Sequence, residues 1–341
     1  MRHVNIPIFI PHLGCPNQCV FCNQHTISGV ESFDPSSVKN IIDDALSTIA
    51  DDDVAEIAFF GGSFTGIDRD LMIELLSTAS SYIKQGRIES IRCSTRPDYI
   101  NTEVLEILKK YGVKHIELGL QSASDGVLAL SKRGHSRADE ARACSLIKEH
   151  GFTLTGQMMI GLPGSTLQHE LDTADFIIEQ KCDYARIYPT VVFRNTELCC
   201  MAESGVYTPI TLEDAISRSA AVYRKLTDAG VRVIRVGLCA AENLVSEDTY
   251  YAGPNHSALG ELVQNEIYYN VIYEKAKALE PSVGAVLYVR VPEHSLSKAI
   301  GQRKRNKLLL KERLGLSDVV FIGDRELGGS DISVSVKEGE N

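Results

Sequence analysis

Hydrophobic and polar positions in the first 240 residues follow two alternating periods. Short apolar runs predict strands at "NIPIFIPHLG" (5–14), "EIAFFGG" (56–62), "IRCSTR" (91–96), "HIELGLQ" (115–121), "TLTGQMMIG" (153–161) and "YARIYPTVV" (184–192). Segments with helical spacing separate them, over 35–50, 69–84, 102–112, 137–150, 165–180 and, after a loop, 212–229. Six strand-then-helix units with apolar strands imply a parallel sheet joined by crossover helices. Right-handed crossovers curl such a sheet, and six units are fewer than the eight of a closed barrel. The expected fold class is therefore α/β, a partial (β/α)6 barrel whose chemistry lies at the carboxyl ends of the strands.

The pattern changes near the end of the chain. A strand at 283–292, two short helices in "SLSKAIG" and "NKLLLKERLG" around the turn "GQRKR", and strands in "DVVFIGD" and "ISVSVKE" give a β-α-α-β order. With a glycine-bearing loop between the helices, this resembles a KH-like RNA-binding module, a small α+β domain. The expected division is a barrel over 1–240, a helical connector over 241–282 and the KH-like domain over 283–341.

Composition narrows the class without naming a function. The chain has 341 residues, 44% hydrophobic and 23% charged, an ordinary globular balance. No run approaches the ~20 apolar residues of a membrane span. The apolar start is short and interrupted by Pro7 and Pro11, unlike a signal peptide. No membrane association and a cytoplasmic location, where thiols stay reduced, are expected. A net charge of −10 argues against a generally basic nucleic-acid coat but leaves room for a local patch. That patch is 298–313, where Lys298, Arg303, Lys304, Arg305, Lys307, Lys311 and Arg313 stand against Glu312.

The sharpest chemical signal is "GCPNQCVFCNQH" (14–25), with Cys15, Cys19 and Cys22 in C-x3-C-x2-C spacing. Nine cysteines in no even framework argue against disulfides. Thiolates select zinc, copper(I) or iron–sulfur clusters. A structural zinc takes four ligands, and His25 is the candidate fourth. The alternative is a 4Fe–4S cluster held through three irons, its fourth iron open to a substrate.

With Phe21 before the last cysteine, this spacing resembles the signature of radical S-adenosylmethionine (SAM) enzymes. "FFGGSFTG", "STRPDY", "IELGLQS", "RGHS", "IGLPGS" and "IYPT" follow in the order found in the radical-SAM domain of the Elongator catalytic subunit and its smaller relatives. The likeness covers roughly residues 5–240. It implies a 4Fe–4S cluster on Cys15, Cys19 and Cys22. In that family the open iron binds SAM, and one electron from the cluster cleaves it to a 5′-deoxyadenosyl radical that abstracts hydrogen from the substrate. A reductase, flavodoxin or ferredoxin is the implied electron donor.

The same resemblance implies SAM contacts at Gly61, Gly62 and Ser63, at Gln121, at Arg133 through the SAM carboxylate, and at Gln157. Ser94 stands where the Elongator group has glutamate, so it offers one hydrogen bond and no charge. Arg96 is expected either there or bracing the barrel mouth. In the tail, Gly301, Arg303, Lys304, Arg305 and Lys307 are the implied RNA contacts, with Lys304 replacing the second glycine of the KH loop. Tyr250, Tyr251 and His256 are read either as base-stacking or proton-relay groups or as packing, and Cys199, Cys200 and Cys239 as small buried residues.

The leading functional expectation is thus a radical SAM enzyme acting on RNA, tRNA foremost. The alternatives are a radical SAM enzyme on a small molecule such as a tetrapyrrole, and a non-catalytic zinc RNA-binding protein. No acetyl-CoA-binding region is expected in these residues, so the resemblance does not imply the Elongator subunit's overall reaction.

Overall fold

The computed structural model describes residues 2–10, 13–15, 19–23, 33–50, 52–238, 246, 248–329 and 331–337. His25 and Cys239 lie outside them. The chain forms two compact units, 1–212 with 225–255, and 213–224 with 256–341.

The first unit is the α/β half-barrel. Among the described residues its main sheet has seven strands in the order β1-β2-β3-β4-β5-β6-β8. They are β1 (His3–Ile10), β2 (Val54–Gly61), β3 (Ser90–Thr95), β4 (Val113–Gln121), β5 (Thr153–Ile160), β6 (Tyr184–Pro189) and β8 (Arg232–Val236). Every pair is parallel. Helices α1 (Val38–Thr48), α2 (Arg69–Lys84), α3 (Thr102–Lys110), α4 (Asp125–Leu130), α5 (Arg137–Glu149) and α6 (Leu167–Glu179) connect the strands up to β6. A short pair, β7 (Val192–Phe193) and β9 (Tyr250–Ala252), lies antiparallel beside α7 (Glu197–Glu203). Helix α8 (Leu212–Asp228), whose residues 213–224 belong to the second unit, precedes β8 in sequence.

Two features depart from the sequence expectation. "RVIRVGL" (232–238) lies outside the six strands expected from the sequence, yet its first five residues are β8, a seventh parallel strand. It pairs with β6 from Tyr184↔Arg232 to Ile187↔Val236. Arg232 and Arg235 interrupt its apolar pattern, which fits an edge strand.

The strands are also not apolar on both faces. Ile57, Phe59, Ile91, Ile116, Leu118, Leu154 and Ile187 are fully buried on one face. Gly156 belongs to this face, and a Cβ there would lie 3.1 Å from Ile177 of α6, so this is the helix-covered side.

The opposite face carries a ladder of ion pairs. Arg92 Nε donates to Glu56 Oε2 at 2.9 Å and its Nη1 to Glu117 Oε1 at 2.9 Å. Arg186 Nη2 donates to the same Glu117 oxygen at 2.8 Å and its Nη1 to Tyr188 Oη at 3.1 Å. Glu56 and Glu117 are almost wholly buried, so this pairing offsets the desolvation cost of their charges.

The second unit is the distinct C-terminal α+β domain. It holds α9 (Leu259–Lys277), β10 (Val286–Pro292), α10 (Leu296–Ile300), α11 (Arg305–Arg313), β11 (Asp318–Asp324) and β12 (Ser333–Lys337). Its sheet runs β11-β10-β12, with β11 parallel and β12 antiparallel to β10. Tyr268 and Ile272 of α9 join Leu287, Val289, Leu310 and Val319 in one core. No helix among the described residues is long and apolar enough to cross a membrane.

Candidate active site at the strand ends

The cysteine segment follows β1 and is anchored on both sides by backbone. Val20 N–H donates to Ser131 O at 3.3 Å, and Leu198 N–H donates to Val20 O at 2.8 Å. Val20 and Phe21 pack with Val192, Leu198 and Tyr207. Cys22 N–H closes a turn onto Cys19 O at 3.0 Å.

The glycines after β2 serve this same loop. Gly62 N–H donates to Ile10 O at 2.7 Å and Ser63 N–H to Leu13 O at 3.1 Å. A Cβ on Gly62 would stand 2.1 Å from Leu13 O. The missing side chain therefore lets the chain entering the cysteine segment lie directly on the end of β2. Ser63 is buried, and its Oγ lies 3.8 Å from the Cys15 thiol.

Two guanidinium groups converge on Cys19. Arg133 Nη1 is 3.2 Å from its sulfur, and Arg133 Nη2 donates to Gly119 O at 2.7 Å. Arg96 Nη1 lies 4.0 Å from the same sulfur. Arg96 is fixed by a two-pronged bond to Asp98, at 2.9 Å and 3.0 Å, and its Nη2 also donates to Arg133 O. Burial opposes the charge on Arg96. The Asp98 carboxylate, then Cys19 and Cys15, outweigh burial and raise its pKa.

Behind Asp98 sits His135, its Nδ1 3.9 Å from Asp98 Oδ1 and its Nε2 3.0 Å from Glu140 Oε1. Burial, aided by Arg133 and Arg96, lowers the His135 pKa to about 4. Burial raises that of Glu140 to about 9. Burial thus disfavours charge on both members of this pair, which meet through one hydrogen bond. Ser136 opens α5 with a capping box closed by Asp139, which fixes "RGHS" at the helix entrance.

The end of β4 is irregular. The register with β5 shifts between Gly119 and Gln121, and Gln121 has φ +72°. Such a bulge re-aims a side chain. A Cβ on Gly119 would stand 3.0 Å from Gln121 Nε2 and 3.3 Å from Arg133 Nη2, so that glycine makes room for both groups. Gln121 is buried, and neither its Oε1 nor Arg133 Nε has a hydrogen-bond partner among the described residues. One unmet acceptor and one unmet donor fit a polar ligand at this strand end.

The remaining sequence-named residues scatter more widely. Gln157 is half-buried on β5, in register with Gly119 of β4 and Arg186 of β6. Ser94 donates to Glu117 Oε2 at 3.4 Å and so joins the ion-pair ladder. Tyr250 Oη donates to Gly253 O at 2.7 Å, and Tyr251 packs with Val20 under the Arg194 guanidinium. Exposed His256 accepts from Ala258 N–H at 3.1 Å. Cys199 is buried, whereas Cys200, expected buried, is exposed.

In the second unit, Gly301, Arg303 and Lys304 form the α10–α11 loop, all three with positive φ. Arg303 and Lys304 are exposed and make no ion pair among the described residues. Arg305 instead pairs with Glu266 at 2.9 Å and Lys307 with Asp318 at 2.9 Å. Asp98, His135 and Glu140 escaped the sequence reading; "RPD" and "RGHS" were noted, but nothing local signals that they meet.

Among the described residues no three His, Cys, Asp or Glu side chains gather around one point, as a single ion requires. A cubane cluster spaces its thiolates further apart than one ion does. The thiol donors and the two guanidiniums beside Cys19 suit an anionic thiolate cluster.

A Radical SAM superfamily model matches residues 9–177, and a Radical_SAM C-terminal domain model matches 182–269. The tRNA uridine(34) acetyltransferase of Methanocaldococcus jannaschii is 28% identical over 61% of this chain and 41% of its own length. Human Elongator complex protein 3 is 28% identical over 62% of this chain and 41% of its own. The chain thus spans well under half the length of these relatives. The archaeal Methanocaldococcus infernus Elp3 structure shares the fold, with a TM-score of 0.63, 23% identity and coverage of 80% of this chain and 63% of that one. With the two models in tandem along the sequence and this fold beneath them, the chain belongs to the radical SAM superfamily.

Proposed function

We propose that Cys15, Cys19 and Cys22 carry a 4Fe–4S cluster, that SAM binds beside it at the ends of β2 to β5, and that the substrate is RNA, tRNA foremost. When bound, the cluster and SAM supply a 5′-deoxyadenosyl radical by one-electron cleavage, the electron coming from a flavodoxin, ferredoxin or reductase. The observation that carries the reading is the end of β4. There Gln121 Oε1 and Arg133 Nε lack partners among the described residues, while Arg133 Nη1 touches Cys19. The acceptor suits a ribose hydroxyl and the donor a carboxylate. Ser63 and the backbone of Gly61 and Gly62 lie at the end of β2, while Ser94 and Gln157, further along β3 and β5, are the remaining proposed contacts.

The RNA assignment draws on the exposed Arg303 and Lys304 at the Gly301 loop, a phosphate-facing pair in an otherwise acidic protein. Arg305 and Lys307 contribute less because each already holds a carboxylate. The relatives named for tRNA uridine 34 support the same substrate class. Reduced thiols at this site suit a cytoplasmic setting.

Anaerobic reconstitution with iron and sulfide, followed by dithionite and SAM, tests the chemistry. A reduced-cluster EPR signal and 5′-deoxyadenosine are expected, both lost in Cys19→Ala. A colourless protein holding one zinc would refute the reading. Filter retention of total tRNA tests the partner, and Arg303→Ala with Lys304→Ala should weaken it and flatten its salt dependence. Retention unchanged in that variant would reject the RNA contacts.

A further inference from the structure

The Arg96–Asp98 pair has no place in the SAM contacts above, yet it points at one sulfur. Arg96 is buried, its fork is clamped by both Asp98 oxygens, and its remaining reach is toward Cys19 Sγ at 4.0 Å. Its Nη2 also holds the carbonyl of Arg133, the residue whose own guanidinium lies 3.2 Å from that sulfur. Such a constrained cation beside a ligand sulfur is more than a brace. It changes the electrostatic cost of adding an electron next to it.

We infer that Arg96 and Asp98 are an opposed pair of positioning residues that set the reduction potential of the cluster carried by Cys19. Arg96 makes reduction easier, and Asp98 both aims the guanidinium and offsets part of its charge. The inference rests on the cluster reading above. Reduction adds one negative charge from an external one-electron donor, here dithionite, and no bond at either residue forms or breaks. The Arg96 cation beside the sulfur, which adds to that of Arg133, stabilises the reduced state, and the Asp98 anion one step further away opposes it. His135 and Glu140 behind Asp98 form an uncharged pair and leave this balance unchanged. A bracing role would require only that Arg96 hold Arg133 O and Asp98 together. It would give no reason for removal of the cation and removal of the anion to act in opposite directions.

The test is an EPR-monitored redox titration of reconstituted wild-type, Arg96→Gln, Arg96→Lys and Asp98→Asn protein, each checked for iron and sulfide content. Arg96→Gln should lower the reduced-to-oxidised ratio at fixed poise by about tenfold, a shift of about 59 mV for a one-electron couple. Arg96→Lys, which keeps the charge, should recover most of that loss. Asp98→Asn should shift the ratio the other way. Equal midpoints, or shifts of the same sign in Arg96→Gln and Asp98→Asn, overturn the inference. If Arg96→Gln does not hold iron, Asp98→Asn alone decides: an upward shift supports the pairing, and none or a downward one rejects it. A wild-type protein without a reducible cluster instead sinks the function proposed above.

Discussion

Arg133 reaches back across 114 residues to place its Nη1 3.2 Å from Cys19 Sγ. Its other terminal nitrogen is spent on Gly119 O. Its Nε has no partner among the described residues. A residue expected from resemblance to hold the SAM carboxylate is therefore also part of the wall behind the thiol.

The strained end of β4 separates stability from ligand binding. Gln121→Gly suits the left-handed backbone and relieves strain of about 1 kcal/mol, against a similar entropic cost for glycine. The thermal midpoint should stay close to wild type. SAM affinity, measured by equilibrium dialysis on the reconstituted protein, should fall about tenfold, as expected for loss of a hydrogen bond worth about 1.5 kcal/mol. Undiminished affinity would remove Gln121 from the site.

Gly62 presents a steric test of the cysteine segment. Gly62→Ala drives a methyl into Leu13 O, a backbone atom with no flexible side chain to yield. The reconstituted variant should bind less iron per chain than wild type. Gly126→Ala is the control: its Cβ would meet only Ser124 Oγ, at 3.8 Å, within α4. It should leave iron content intact and add up to about 1 kcal/mol of stability.

Glu140 predicts a pH effect on stability. Its folded pKa of about 9 lies above the ordinary 4.5. The folded chain therefore keeps a proton that the unfolded chain releases, and stability drains away as pH rises through that window. His135, lowered to about 4 from 6.5, acts in the opposite sense, and its contribution is lost as pH falls from 6.5 toward 4. Glu140→Gln keeps a donor for His135 Nε2 without a titrating proton. Its melting temperature relative to wild type should climb steadily between pH 5 and pH 9. A pH-independent difference would show that Glu140 does not carry the proton.

Glu117 is the hub of the ion-pair ladder, accepting from Arg92, Arg186 and Ser94. Glu117→Gln leaves the guanidiniums on either side undercompensated in a buried setting. A loss of about 3 kcal/mol or more is expected in denaturant unfolding. A change below about 1 kcal/mol would mean that water or nearby residues already screen these charges.

Much of the barrel was legible because strand and helix periods differ so clearly. The boundaries expected for the helix at 69–84 and the strand end at Gln121 coincide with those observed. The cysteine spacing and the ordered motifs pointed to a candidate site at the strand ends. The sequence did not disclose which polar groups meet there. Arg96 stayed open between a site contact and a brace because its partner thiol lies 77 residues away. The strands read as apolar because Glu56, Arg92, Glu117 and Arg186 each stand alone in their segments; only strand pairing brings them into one ladder. β8 escaped notice because five residues containing two arginines give a weak edge-strand signal.

The ladder has one more implication. Beside Arg235, which stands in register with Arg186, its two carboxylates and two guanidiniums offset one another, so the ladder itself exerts little net pull at a distance. A molecule arriving against it would feel little pull or push and would be sorted at contact, by outline and by the hydrogen bonds it can match. On the proposed function, attraction of RNA over a distance falls to other groups, and the exposed Arg303 and Lys304 are the surface proposed for it.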